Sequence, residues 1–186
     1  MRNRNTLVIL TGLRGCGKTS LLKNLIERHD LNVQGFLSCK EFSGSLMTGI
    51  NLVVLPGKTS MPMATTTPFS TPVSTGRFYF FSETFGLIER HFNTIRPKIP
   101  FIFDEFGQLE MRQEGHYPLF QKLIEKNHPL LLVVRKEMLE EFLASLPQET
   151  LFNIFDMDEM IHQDINNCML EFLENPASAC TTNKTY

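Results

Sequence analysis

Residues 12–19 read Gly-Leu-Arg-Gly-Cys-Gly-Lys-Thr, and no other stretch limits so sharply what this chain can become. They fit G-x-x-x-x-G-K-[ST] at every fixed position. A short apolar run over residues 6–11 precedes them and predicts a buried strand. Residues 19–28 follow, with Leu21, Leu22, Leu25 and Ile26 on one face of a predicted helix. A glycine-rich turn between strand and helix points successive backbone N–H groups inward and makes a nest for an anion. The helix N-terminus adds partial positive charge at the same place. The predicted phosphate-binding residues are Gly12, Leu13, Arg14, Gly15, Cys16, Gly17, Lys18, Thr19 and Ser20. Lys18 is expected to reach the outer phosphates and to serve catalysis, and the Thr19 hydroxyl to ligate Mg²⁺.

The remaining pattern predicts α/β architecture. Apolar runs at 33–38, 46–55, 77–81, 100–103, 130–134 and 151–155 read as strands. Helical spacing appears at 83–95, 117–126, 136–146 and 159–173. Strands alternating with helices predict a doubly wound, mostly parallel sheet flanked by helices, with a small β-hairpin inserted after the second strand. Residues 56–76 hold four prolines among many Thr and Ser, which predicts a long surface loop. One domain is expected over residues 1–174, with a flexible tail over 175–186.

The second chemical signal is Ile99-Pro100-Phe101-Ile102-Phe103-Asp104-Glu105, an apolar strand ending in two acids. A phosphate loop needs a carboxylate at the end of a nearby parallel strand to complete a magnesium shell, and Asp104 fits that role. Glu105 is then placed to orient and polarise an attacking water, as a catalytic base. Arg135 directly follows the strand at 130–134. It reads either as an internal arginine finger or as a surface ion-pair partner of Glu137 or Glu140.

Other residue types point away from chemistry. The five histidines have no metal-ligand spacing, and Asp156-Met157-Asp158-Glu159 reads as a helix start rather than a calcium loop. Phe78 to Phe81 read as core aromatics. Cys16, Cys39, Cys168 and Cys180 lie far apart and predict reduced thiols. The formal charge of −2 argues against a nucleic-acid partner. No apolar run approaches the ~18 residues of a membrane span. The run after the basic N-terminus is too short for a signal peptide, so a cytoplasmic monomer is expected.

The chain resembles the small P-loop nucleoside-triphosphatase family first described from thermophiles, whose relatives include the cancer-related nucleoside-triphosphatase. The resemblance rests on Gly12 to Thr19, on Gly35-Phe36, on the Gly-rich apolar stretch 44–57, and on Asp104-Glu105-Phe106-Gly107-Gln108-Leu109-Glu110-Met111, which is similar to the family's Asp-Glu-Ile-Gly-Lys-Met-Glu-Leu. It implies hydrolysis of ATP, GTP and related nucleotides with magnesium and little base preference. It also implies Glu110 as a further site residue. Gln108 stands where the family has Lys, Cys39 and Lys40 replace acids after the Gly-Phe strand, and Met47 and Thr48 replace basic residues before the hairpin glycine. Two other readings compete. One is a nucleotide or small-molecule kinase, against which residues 56–76 supply only Lys58 where a lid needs arginines. The other is a nucleotide-binding module with slow turnover.

Overall fold

The computed structural model describes residues 7–176. Thr6, Cys180 and nearly all of the expected tail lie outside the described residues.

Among the described residues nine strands form one mixed sheet. They are β1 (Leu7–Thr11), β2 (Gln34–Ser43), β3 (Leu46–Leu55), β4 (Thr59–Thr65), β5 (Ser74–Thr75), β6 (Phe78–Phe80), β7 (Phe101–Phe106), β8 (Leu130–Val134) and β9 (Phe152–Asp156). Their spatial order is β5-β6-β4-β3-β2-β7-β8-β1-β9. The five strands from β2 to β9 in that order are parallel. The other four join by antiparallel pairing.

The parallel half is covered on both faces, and strand alternation decides which side chain goes where. From β1, Val8 and Leu10 pack on one face with Leu22, Leu25 and Ile26 of α1 (Lys18–His29). Ile165, Met169 and Phe172 of α6 (His162–Glu174) complete that layer. Leu7 and Ile9 pack on the other face with Phe101, Phe103, Leu130 and Leu132. Helices α2 (Ser82–His91), α4 (Tyr117–Glu125) and α5 (Leu139–Ser145) close that layer through Ile88, Phe120, Leu123 and Phe142. A short α3 (Gln108–Met111) follows β7.

Gly35 shows how tightly β2 is laid against β7. It has φ +120°, and a Cβ there would lie 2.0 Å from the Ile102 carbonyl oxygen. Only glycine fits both the conformation and the space.

Several expectations need correction. Residues 56–76 are not a long loop, since β4 and β5 lie within them. Pro62 sits in β4 next to a register shift of the β3–β4 pair, where a missing N–H is tolerated. The hairpin is not an insertion after the second strand. β2 is itself its first arm, and the hairpin extends the sheet. Helix α2 ends at His91 rather than 95, residues 136–138 form a 3-10 turn before α5, and α6 begins at His162 rather than 159.

Candidate nucleotide-binding site

The loop after β1 wraps a cleft at the carboxyl ends of the parallel strands, where open α/β sheets place ligands. Gly12 has φ +144°, and a Cβ there would meet the Cys16 sulfur at 2.8 Å. The loop therefore closes on itself only with glycine at this position. Lys18, the first residue of α1, is buried and folds back over the loop. Its Nζ donates to the carbonyl of Gly12 at 2.7 Å and to that of Leu13 at 3.0 Å. Those bonds hold the ammonium at the mouth of the nest.

Arg14, Gly15, Gly17, Lys18, Thr19 and Ser20 line a cleft of about 360 Å³. Gly12, Leu13 and Cys16 do not. The Leu13 amide is already committed, donating to Asp158 Oδ2 at 2.6 Å. Asp158 itself sits in a cluster with Asp156 and Glu159 around Lys136, whose Nζ is 2.8 Å from Asp156 and 3.0 Å from Glu159. The acidic run at 156–159 thus braces the start of the loop from the β9 side.

β7 brings Asp104 and Glu105 to the same cleft. Adjacent residues on a regular strand point to opposite faces. Here the register with β8 shifts between Asp104 and Phe106, and this bulge turns both carboxylates toward the loop. Asp104 is buried. Its Oδ2 accepts the Ser38 amide at 3.1 Å, and Thr19 hydrogen-bonds to it through its side chain. The Ser38 hydroxyl donates to the Asp104 carbonyl. Burial, helped by the neighbouring Glu105 carboxylate, pushes the Asp104 pKa up to about 7, against the pull of Ser38, Thr19 and Lys18. A buried carboxyl held beside a hydroxyl is an all-oxygen donor pair suited to a hard divalent cation.

Arg135, at the tip of β8, lines the same cleft and pairs with Glu105 through Nε and Oε1. Its direct partner is Glu105, and Glu137 acts on it only at longer range. Gln108 is exposed and lies outside the cleft lining. Arg135 therefore supplies a positive charge beside the acidic pair. Glu110 plays a different part from the one implied. It is buried and accepts the amides of Gly107 at 3.0 Å and His116 at 3.1 Å, which fastens the chain as it leaves β7. Burial raises its pKa. Among the described residues no cluster of three or more His, Cys, Asp or Glu stands ready to hold a metal alone.

A family model described as NTPase matches residues 7–169. The chain belongs to the NTPase family. Nucleoside-triphosphatase THEP1 of Natranaerobius thermophilus is 23% identical to it over 133 residues, covering 70% of this chain and 75% of that protein. The crystal structure of THEP1 from Aquifex aeolicus superposes with a TM-score of 0.68 at 20% identity, over 91% of this NTPase and all of that chain. The solution structure of a human cancer-related nucleoside triphosphatase gives 0.61 at 18% identity, over 90% and 95% of the two chains. Both share the fold of this α/β NTPase. No helix among the described residues is long and apolar enough to cross a membrane.

The sequence patterns missed Ser38, Lys23, Lys40 and Phe42 as cleft residues. They reach the site because β2 lies beside β7 and α1 packs over it. No local signal encodes that adjacency.

Proposed function

We propose that this NTPase binds the triphosphate of ATP, GTP and related nucleotides at the loop and hydrolyses the terminal phosphate with Mg²⁺. The observation that carries the reading is that Lys18, Thr19, Asp104, Glu105 and Arg135 face one cleft. The amides of Gly15 to Thr19 and the Lys18 ammonium take the β- and γ-phosphates. Lys18 exchanges its carbonyl partners for phosphate oxygens. Thr19 and Asp104 are the residues that hold Mg²⁺, which when bound neutralises charge on the phosphate oxygens. Glu105 takes the proton of the attacking water. Arg135 turns from Glu105 to the γ-phosphate, which frees the carboxylate and stabilises charge in the transition state. Ser38 fixes Asp104. We further propose that it is a cytoplasmic monomer; the near-neutral charge fits one that acts without nucleic acid.

The test is phosphate release from ATP and GTP, with and without magnesium. Wild type releases phosphate only with magnesium, and Glu105→Gln slows release while still binding nucleotide. Equal rates for the two proteins would remove Glu105 from the mechanism. No release from wild type at any magnesium level would overturn the hydrolase reading.

A further inference from the structure

β9 keeps its partnership with β1 past the end of both strands. The Thr11 carbonyl accepts the Met157 amide at 3.0 Å. One step further, the Leu13 amide donates to Asp158 Oδ2 at 2.6 Å. A side-chain carboxylate thus takes the place of the next backbone carbonyl. Asp158 is held in its turn. Its own amide donates to Asp156 Oδ1 at 2.9 Å, and its Oδ2 lies 3.9 Å from Lys136 Nζ. Gly12 packs against the same segment, since a Cβ there would lie 3.3 Å from Met157 Cβ and 3.4 Å from Asp158 Oδ2.

The bond from Leu13 matters because of the other end of the same peptide unit. A trans peptide is planar, and its N–H and C=O point in opposite directions. Turning the Leu13 N–H toward Asp158 therefore aims the Gly12 carbonyl the other way, where it accepts Lys18 Nζ at 2.7 Å. Local forces do not fix this peptide. Glycine turns freely on one side of it, and on the other the Leu13 side chain is 60% exposed. The constraint comes instead from Asp158, 145 positions along the chain.

Lys18 has need of such a constraint. Its ammonium sits on a flexible four-carbon stem. Ordering a stem of that kind at the moment of association weakens binding by about tenfold. Here the ammonium already rests on the carbonyls of Gly12 and Leu13, with the Cys16 sulfur at 3.6 Å.

We propose that Asp158 is a positioning residue for the phosphate-holding lysine. It orients the Gly12–Leu13 peptide, whose carbonyl keeps the Lys18 ammonium at the mouth of the nest before a triphosphate arrives. Asp158 does not line the cleft, so it acts through that peptide and not on the phosphates. This rests on the reading of Lys18 given above.

The experiment titrates the full chain with magnesium and a non-hydrolysable ATP analogue, in wild type and in Lys18→Ala, each with and without Asp158→Ala. Asp158→Ala weakens binding about tenfold when Lys18 is present and by less than about twofold in Lys18→Ala. Asp158→Asn keeps an acceptor oxygen for the Leu13 amide and binds within about threefold of wild type. Should Asp158→Ala fail to fold, Asp158→Ser replaces it, because its shorter side chain does not span to Leu13. An equal loss in both backgrounds overturns the inference, since Asp158 would then shape the loop without acting through Lys18. No loss from Asp158→Ala overturns it too, as does a loss in Asp158→Asn as large as in Asp158→Ala. Lys18→Ala binding as tightly as wild type removes the reading of Lys18 and this inference with it. The expected coupling in a protein that releases no phosphate from ATP overturns the hydrolase reading alone.

Discussion

Arg135 and Glu105 face each other across the cleft from neighbouring strands, the guanidinium donating to the carboxylate. β8 lies next to β7 in the sheet, and the register places Val134 opposite Phe106, so the residues flanking these positions meet at the strand ends. In the proposed mechanism the two partners act separately, and in this structure each neutralises the other. The two variants therefore have different expected kinetics. Glu105→Gln lowers kcat by about 10²–10⁴-fold with little change in nucleotide affinity, the loss of a general base. Arg135→Gln lowers kcat by about 10³-fold, the loss of a cation on the transferring phosphoryl. The double variant falls well short of the product of the two losses, because each side chain restrains the other in the resting site. Steady-state kinetics of the three variants decides this.

Asp104 gives the protein a pH-dependent stability with a definite sign. Its pKa is raised from 3.8 to about 7 in the fold. Between those values the native state holds a proton that the unfolded state has lost. Its contribution is present in full below about 3.8 and is lost as pH rises through 7. Denaturation of the metal-free protein from pH 4 to 8 reads this group by difference: Asp104→Asn removes a downward component that His116 opposes below 6.5, so the variant's profile rises more with pH than wild type's. A variant profile parallel to that of wild type would clear Asp104 as the source of the component.

His116 acts in the opposite sense. It is fully buried among Phe36, Phe85 and Phe103, and burial lowers its pKa to about 3. It stays neutral in the fold while the unfolded chain takes up a proton below 6.5. Stability present above 6.5 is therefore lost as pH falls toward 3. His116→Gln flattens the acid side of the stability profile, read by urea midpoints between pH 4 and 7.

Glu110 is expected to matter for the folded loop more than for the chemical step. Glu110→Ala leaves two amides, those of Gly107 and His116, without their carboxylate. Each buried unpaired donor costs about 1–3 kcal/mol. Glu110→Gln keeps one acceptor oxygen and recovers part of that loss. Denaturant midpoints for the two variants provide the comparison. Equal midpoints for Ala and Gln would mean that the amides find other partners.

Gly35→Ala is expected to be severe. The new methyl meets the Ile102 carbonyl at 2.0 Å and the positive φ also disfavours alanine. Overpacking and strain together cost about 3 kcal/mol or more. Because β2 carries Ser38, the variant also loosens the hold on Asp104. Its folded fraction should bind nucleotide less well, measured by titration at low temperature.

Much of this was written locally. The glycine-rich turn, its flanking strand and helix, and the acidic strand end each depend on a few consecutive residues, and local patterns report such features faithfully. Residues 56–76 misled because Pro62 reads as a strand breaker, yet a bulge accepts it where no ladder donor is needed. The family resemblance implied Glu110 as a further site residue, through the element that runs from Asp104 to Met111. Its carboxylate instead turns back to the amides of Gly107 and His116.

The chain order alone determined that a phosphate nest would form, that a carboxylate pair would cap an apolar strand, and that helices would cover both faces of parallel strands. These follow from side-chain periodicity and from glycine's freedom at a tight turn. Tertiary structure alone decided that β8 lies between β1 and β7, that Arg135 meets Glu105, that Ser38 grips Asp104, and that Phe42 lines the cleft. Strand order brings together residues as far as 145 positions apart, as with Leu13 and Asp158, whose hydrogen bond joins the ends of β1 and β9. Such meetings are set by which buried faces pack best across the whole sheet, and no neighbouring residues carry that information.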